Sequence, residues 1–198
     1  MQSLFKHISV IIPAYNASNS IIPTLVSVYN QSYKDYEVIV VDDGSSDNTS
    51  ELVEQYINEN DLVNLKLINK PNGGVSSARN TAINVAKGYW LAFLDADDTL
   101  HPKKLEIISW FFENDFSLIG HDYQTDVFSD KYLDLKHSQI STVYYSFANI
   151  LMRNRFTTPS VVLRNTPDIH FDEKMRYAED HDLWLQLSSK KKALFFEI

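Results

Sequence analysis

Short apolar runs alternating with amphipathic stretches across residues 8–113 predict an α/β fold: one domain on a mostly parallel central sheet with helices on both faces. Two further observations point the same way. Asn16, Asp43 and Asp95 each follow the end of an apolar run, where loops leave the carboxyl edge of such a sheet. The 198 residues are 44% hydrophobic, enough for one sizeable core, and contain no internal repeat, low-complexity tract or linker.

Residues 8–12 (Ile-Ser-Val-Ile-Ile) read as the first strand, stopped by Pro13, and residues 19–30 as a helix. Residues 37–41 (Glu-Val-Ile-Val-Val) give a second strand that ends abruptly at Asp42-Asp43-Gly44. Asn48, with Glu51 three residues later, has the form of a capping box and opens a helix through about Asn58. Residues 65–68 make the third strand; Ser76 or Ser77 then opens a helix that Gly88 closes at its C′ position. Tyr89-Trp90-Leu91-Ala92-Phe93-Leu94 is the fourth strand, and Pro102 suits the first turn of a helix running to about Glu113. After Phe116 the rhythm loosens. Residues 124–142 are polar and mixed, 143–152 read as helical, 160–163 as a strand, 184–187 as part of a late helix, and 193–196 as a terminal strand.

The formal net charge of −8 argues against a nucleic-acid partner held by a basic face. No run of 18 apolar residues is present, so any membrane contact is expected to be peripheral at most. The first seven residues lack a signal-peptide pattern, and zero cysteines fit a reducing cytoplasm. Lys190-Lys191-Lys192 reads as a solvated helix end rather than a lipid-binding patch. The aromatics Phe111, Phe112, Tyr144, Tyr145 and Phe147 read as core, and His121 and His170 as structurally satisfied.

Four loops and one helix start carry candidate chemistry. In Asp95-Ala96-Asp97-Asp98, three carboxylates within four residues repel one another near a low-dielectric core, a cost that a hard cation such as Mg²⁺ or Mn²⁺ relieves. The plainer alternative is a solvated acidic turn. Pro13-Ala14-Tyr15-Asn16 presents an aromatic ring suited to stacking on a nucleobase, or one that merely caps the core. The carboxylates of Asp42-Asp43-Gly44-Ser45-Ser46-Asp47 can accept from a base N–H or a ribose hydroxyl, or cap the next helix. Between Asn72 and Arg79, Gly73-Gly74 permits close backbone approach at a helix start, with Arg79 one turn in; a glycine turn with a surface arginine explains the same text. Glu179-Asp180 offers a general base, or an acidic start favoured by the helix dipole.

Taken together, these segments resemble the family 2 glycosyltransferases, inverting enzymes of the GT-A fold. The matching text is residues 9–16, 38–47, 72–80, 93–98 and 179–184. The resemblance implies a single GT-A domain over residues 1–198, with 1–100 the nucleotide-binding half and 101–198 the acceptor-side half, either truncated at its C-terminus or unusually short for the family. It assigns Pro13, Tyr15, Asp43 and its neighbour Asp42 to the uridine, and Asn72 and Arg79 to the nucleotide's surroundings. Asp95 and Asp97 match the Asp-x-Asp motif, with Asp97 the direct ligand of Mn²⁺ or Mg²⁺ and Asp98 beside it. Asp180 matches the catalytic base and Glu179 its acidic neighbour. The implied partners are a UDP-sugar donor and a saccharide or lipid-linked saccharide acceptor, in a cytoplasmic protein with at most peripheral contact at the inner face of the membrane. Two other classes compete: a phosphorylatable receiver module, which the acidic residues at 43 and 95 superficially suit, and a non-catalytic UDP-sugar-binding domain.

Overall fold

The computed structural model describes residues 7–113, 115–116, 118–121 and 140–197. The elements in chain order are β1 (Ile8–Ala14), α1 (Ile21–Tyr29), β2 (Tyr36–Asp42), α2 (Thr49–Glu59), β3 (Leu65–Asn69), α3 (Val75–Ile83), β4 (Trp90–Phe93), α4 (Lys104–Ser109) and β5 (Leu118–His121). They continue with β6 (Ser141–Tyr145), α5 (Phe147–Met152), a 3₁₀ turn (Thr158–Ser160), β7 (Val162–Arg164), α6 (Glu179–Lys190) and β8 (Ala193–Glu197).

Among the described residues the strands form one sheet in the order β3-β2-β1-β4-β7-β5-β8-β6. β1 pairs in parallel with both β2 and β4, and β2 with β3. β7 runs antiparallel to β4 and β5, β8 parallel to β5, and the edge strand β6 antiparallel to β8. The expected mostly parallel sheet is therefore present. The order also sets the receiver reading aside, because that fold is doubly wound as 2-1-3-4-5.

Side chains alternate across the strands, so each strand feeds two cores. Ile8, Val10 and Ile12 of β1 pack with Ile21, Leu25 and Val28 of α1, Val53 of α2 and Leu105, Ile107 and Ile108 of α4. Ile11 and Phe93 point the other way, toward Ala78 and Ala82 of α3, Ile150 of α5 and Leu183, Trp184 and Leu187 of α6. Burying each such side chain contributes about 1.5–3 kcal/mol, and this two-sided packing holds the sheet's carboxyl edge in place.

The first half follows the sequence expectation closely; the second departs from it. Residues 143–152 are not one helix: β6 is β-branched and aromatic, and Ser146 then starts α5 with a reciprocal capping box to Asn149. Tyr144, expected in the core, is 56% exposed because β6 is a sheet edge, and Phe147, also expected there, is 41% exposed at the start of α5. β5 was unanticipated, and residue 160 ends a 3₁₀ turn rather than starting a strand. α4 stops at Ser109, short of Glu113. Asn48 does occupy the N-cap of α2 but makes no side-chain cap; Asp47 accepts from the Thr49 N–H instead, at 3.1 Å. Gly88 lies beyond α3 and serves close packing, since a Cβ there would come within 2.4 Å of the Ser9 nitrogen. Most of the polar stretch at 124–142 lies outside the described residues.

Candidate functional site

The chain winds from β1 outward to β2 and β3, then returns to place β4 on the other side of β1. That reversal opens a crevice at the carboxyl ends of the strands, and the candidate residues gather there.

The loops after β1 and β2 are laced together. Asn16, at φ 50°, donates its backbone N–H to Ser45 Oγ at 2.9 Å and accepts at Oδ1 from the Ser46 N–H at 2.8 Å. Asp42 accepts from the Ser45 N–H at 2.7 Å, closing the turn. Gly44, at φ +76°, leaves room for the Asn72 backbone, which a Cβ would meet at 2.7 Å. Asp43, almost fully buried, accepts from Lys70 Nζ at 2.5 Å, from the Gly73 N–H at 3.0 Å and from the Gly74 N–H at 2.7 Å. The glycine pair expected to approach a ligand is thus clasped by Asp43. Pro13, Ala14, Tyr15, Asp43, Asn72, Gly74, Val75 and Ala78 line a cavity of about 210 Å³. Its wall is largely apolar, and the Tyr15 ring stands 54% exposed at its rim.

The acidic loop after β4 is fastened from behind by α1, whose buried Thr24 hydroxyl lies 2.9 Å and 2.8 Å from the Ala96 and Asp98 carbonyl oxygens. Burial, reinforced by the charges of Asp95 and Asp97, raises the Asp98 carboxyl above its usual range, and Lys104 opposes the shift. The crowding inferred from the sequence is therefore present.

Arg79 does not reach into the cavity. Its side chain is only 5% exposed and forks between two carboxylates, donating from one nitrogen to Asp95 at 3.0 Å and from the other to Glu179 at 3.1 Å. The guanidinium also sits over the Phe171 ring at 5.2 Å. Ala178, just before α6, takes a left-handed conformation at φ 59°, which costs a non-glycine residue about 1–2 kcal/mol. That bend opens α6 with Glu179, Asp180 and Asp182 in its first turn. Asp180 accepts from the His181 N–H at 2.6 Å and from the Thr158 hydroxyl at 3.1 Å. Sequence reasoning missed Thr158 and Lys70, which carry no motif or periodic signal.

Among the described residues no group of three or more His, Asp or Glu side chains is placed to hold a metal. The carboxylates of Asp95 and Asp97 are hard oxygen donors of the kind that suits Mg²⁺ when a diphosphate brings the further oxygen ligands, with Asp95 already paired to Arg79 at 3.0 Å. Lys190 and Lys191 pair with Asp168 and Asp115, as expected of a solvated helix end. No helix among the described residues is long and apolar enough to cross a membrane.

Comparison with known proteins agrees with this geometry. The model of Glycosyl transferase family 2 matches residues 9–182. An uncharacterized glycosyltransferase of Rickettsia felis is 35% identical over 186 residues, covering 92% of this chain and 30% of that protein. An Escherichia coli relative, UDP-Glc:alpha-D-GlcNAc-diphosphoundecaprenol beta-1,3-glucosyltransferase, is 33% identical over 183 residues, covering 91% of this chain and 69% of its own. The crystal structure of S. aureus TarS in complex with UDP-GlcNAc superposes with a TM-score of 0.75 at 25% identity, over 97% of this chain and 56% of that one. The chain thus spans about a third of the length of the Rickettsia relative. The GT-A architecture and the match across residues 9–182 agree, and the chain belongs to glycosyl transferase family 2.

Proposed function

We propose that this chain moves a sugar from a UDP-sugar donor to a hydroxyl of a saccharide or lipid-linked saccharide, inverting the anomeric carbon, in the assembly of a bacterial surface polysaccharide or lipopolysaccharide. The observation that carries the reading is the Arg79 fork. It ties the acidic loop after β4 to the acidic start of α6, a partner 100 residues away, on the sheet edge that holds the Tyr15 cavity. Family membership supports it, as do the UDP-Glc named for the E. coli relative and the UDP-GlcNAc bound to TarS.

Each residue then has a separable task. Tyr15 offers a ring for uracil to stack on, Pro13 an apolar floor, and Asp43 an acceptor in the cavity wall. Asp42 shapes the turn beside them, and Asn72 borders the cavity. Asp97 and Asp95 would hold Mn²⁺ or Mg²⁺, which when bound offsets the negative charge growing on the departing diphosphate. Asp180 takes the acceptor's proton while the acceptor oxygen bonds to the anomeric carbon and the carbon–diphosphate bond breaks. One displacement inverts the centre. Glu179, held by Arg79, keeps the start of α6 against Asp95. The reading has the protein work in the cytoplasm, with peripheral contact alone at the membrane.

UDP release from UDP-glucose and UDP-N-acetylglucosamine with Mn²⁺ tests this without a known acceptor, because water takes the acceptor's place. Asp180→Asn is expected to leave UDP affinity by calorimetry nearly unchanged and to cut release by roughly 10²–10⁴-fold. Wild-type release from Asp180→Asn would reduce the acidic pair to a helix start.

A further inference from the structure

The segment between α5 and β7 approaches the start of α6 without belonging to any motif. Its 3₁₀ turn, Thr158–Ser160, is closed by the Ser160 N–H on the Thr157 carbonyl (2.9 Å) and the Val161 N–H on the Thr158 carbonyl (3.1 Å). Three separate elements hold it. Trp184 of α6 donates from its indole to the Phe156 carbonyl at 3.1 Å. The turn packs against β4, the strand that leads into the acidic loop. Lys104 of α4, buried, donates its ammonium to the Pro159 carbonyl. A lysine is seldom taken this far out of water, and here its side-chain nitrogen is hydrogen-bonded to the backbone of this turn.

Out of this fixed turn the buried Thr158 hydroxyl donates to Asp180 Oδ2 at 3.1 Å, while Oδ1 accepts from the His181 N–H at 2.6 Å. Each carboxylate oxygen thus has one protein donor and retains lone-pair capacity for a further one. We infer that Thr158 is a positioning residue for Asp180, and that Lys104 anchors the turn that presents it. The inference rests on the reading of Asp180 as the base. A hydroxyl donated from a rigid turn fixes the carboxylate's rotamer, and a proton acceptor must be held in one orientation toward its substrate.

The test is UDP release by the full chain with Mn²⁺, from UDP-glucose and UDP-N-acetylglucosamine, with UDP affinity measured alongside by calorimetry. Thr158→Val, which removes the hydroxyl and keeps the branched shape, is expected to lower kcat roughly 10–100-fold, as loss of an orienting partner does elsewhere, with donor KM and UDP affinity unchanged. Thr158→Ser is expected to restore kcat, since it returns the donor. In an Asp180→Asn background Thr158→Val should add nothing, because residues acting as one unit are not additive. Lys104→Met, which keeps the stem and loses the ammonium, should lower kcat in the same sense with donor KM unchanged. Wild-type kcat in Thr158→Val, or an undiminished further loss in the Asp180→Asn background, overturns the inference while leaving Asp180 as the base. Wild-type kcat in Lys104→Met overturns the anchoring role even if Thr158→Val fails to fold. Unchanged release in Asp180→Asn, or no release from either sugar nucleotide, overturns the underlying reading and the inference with it.

Discussion

Asp43 shows how a residue can be found by its position while its contacts within the fold stay hidden. Its place after β2 is legible from an apolar strand followed by Asp-Asp-Gly, but its carboxylate is engaged by Lys70 and the Gly73 and Gly74 amides. A carboxylate has about four lone-pair sites, so a base N–H would have to share with these donors. On the proposed function, stacking on Tyr15 would then be the larger part of base recognition. Tyr15→Ala is expected to weaken UDP and uridine alike by about 1–3 kcal/mol, whereas Asp97→Asn should weaken Mn²⁺–UDP and spare uridine, which lacks the diphosphate. Calorimetry with the two ligands separates these cases, and equal loss for both ligands in Asp97→Asn would make that residue structural. The partners of Arg79 were not legible at all. Its bonds cross 16 and 100 residues, and nothing local in the text records a pairing that only the fold creates.

The elements divide at about residue 113. Up to there, each strand and helix is announced by its own residues: apolar runs of strand length, acidic turn residues, glycine and proline at the boundaries. Beyond it, β5, β6 and β7 are short, and two of them run antiparallel, so their pairing depends on distant strands rather than on a repeating unit. Gly88 marks a subtler limit. A glycine after a helical pattern reads as a cap, yet here it admits the β1 backbone to within van der Waals distance. Gly88→Ala should therefore behave as an overpacked core substitution, costing about 1–3 kcal/mol. The check is a lower urea midpoint at unchanged m value. A midpoint equal to wild type would mean that β1 and β4 yield more easily than their pairing suggests.

For the molecule as a whole, alkaline pH acts through Lys104 and through a set of four buried or half-buried tyrosines, with opposite sign. Burial lowers the Lys104 pKa from 10.5 to about 7, against the pull of Asp98. The unfolded chain keeps that proton to about pH 10.5, so between 7 and 10 it binds more protons than the folded chain and stability rises with pH. Tyr29, Tyr33, Tyr36 and Tyr56 work the other way. Burial raises each phenol, so above about pH 10 the unfolded chain loses those protons first and stability falls. Urea denaturation should gain about 2–3 kcal/mol from pH 7 to 9 and lose stability above 10, with Lys104→Met flattening the first limb. A flat wild-type profile between pH 7 and 9 would count against the buried ammonium.

The cavity takes its lining from residues 13–78, while Asp180 belongs to a helix that follows roughly 100 residues later. At ribosomal speeds of about 5–20 residues per second, that separation amounts to roughly 5–20 s of synthesis. The wall that would meet a nucleotide is therefore made well before the carboxylate that would act on its sugar. On the proposed function, birth order in this chain would run from holding to reacting.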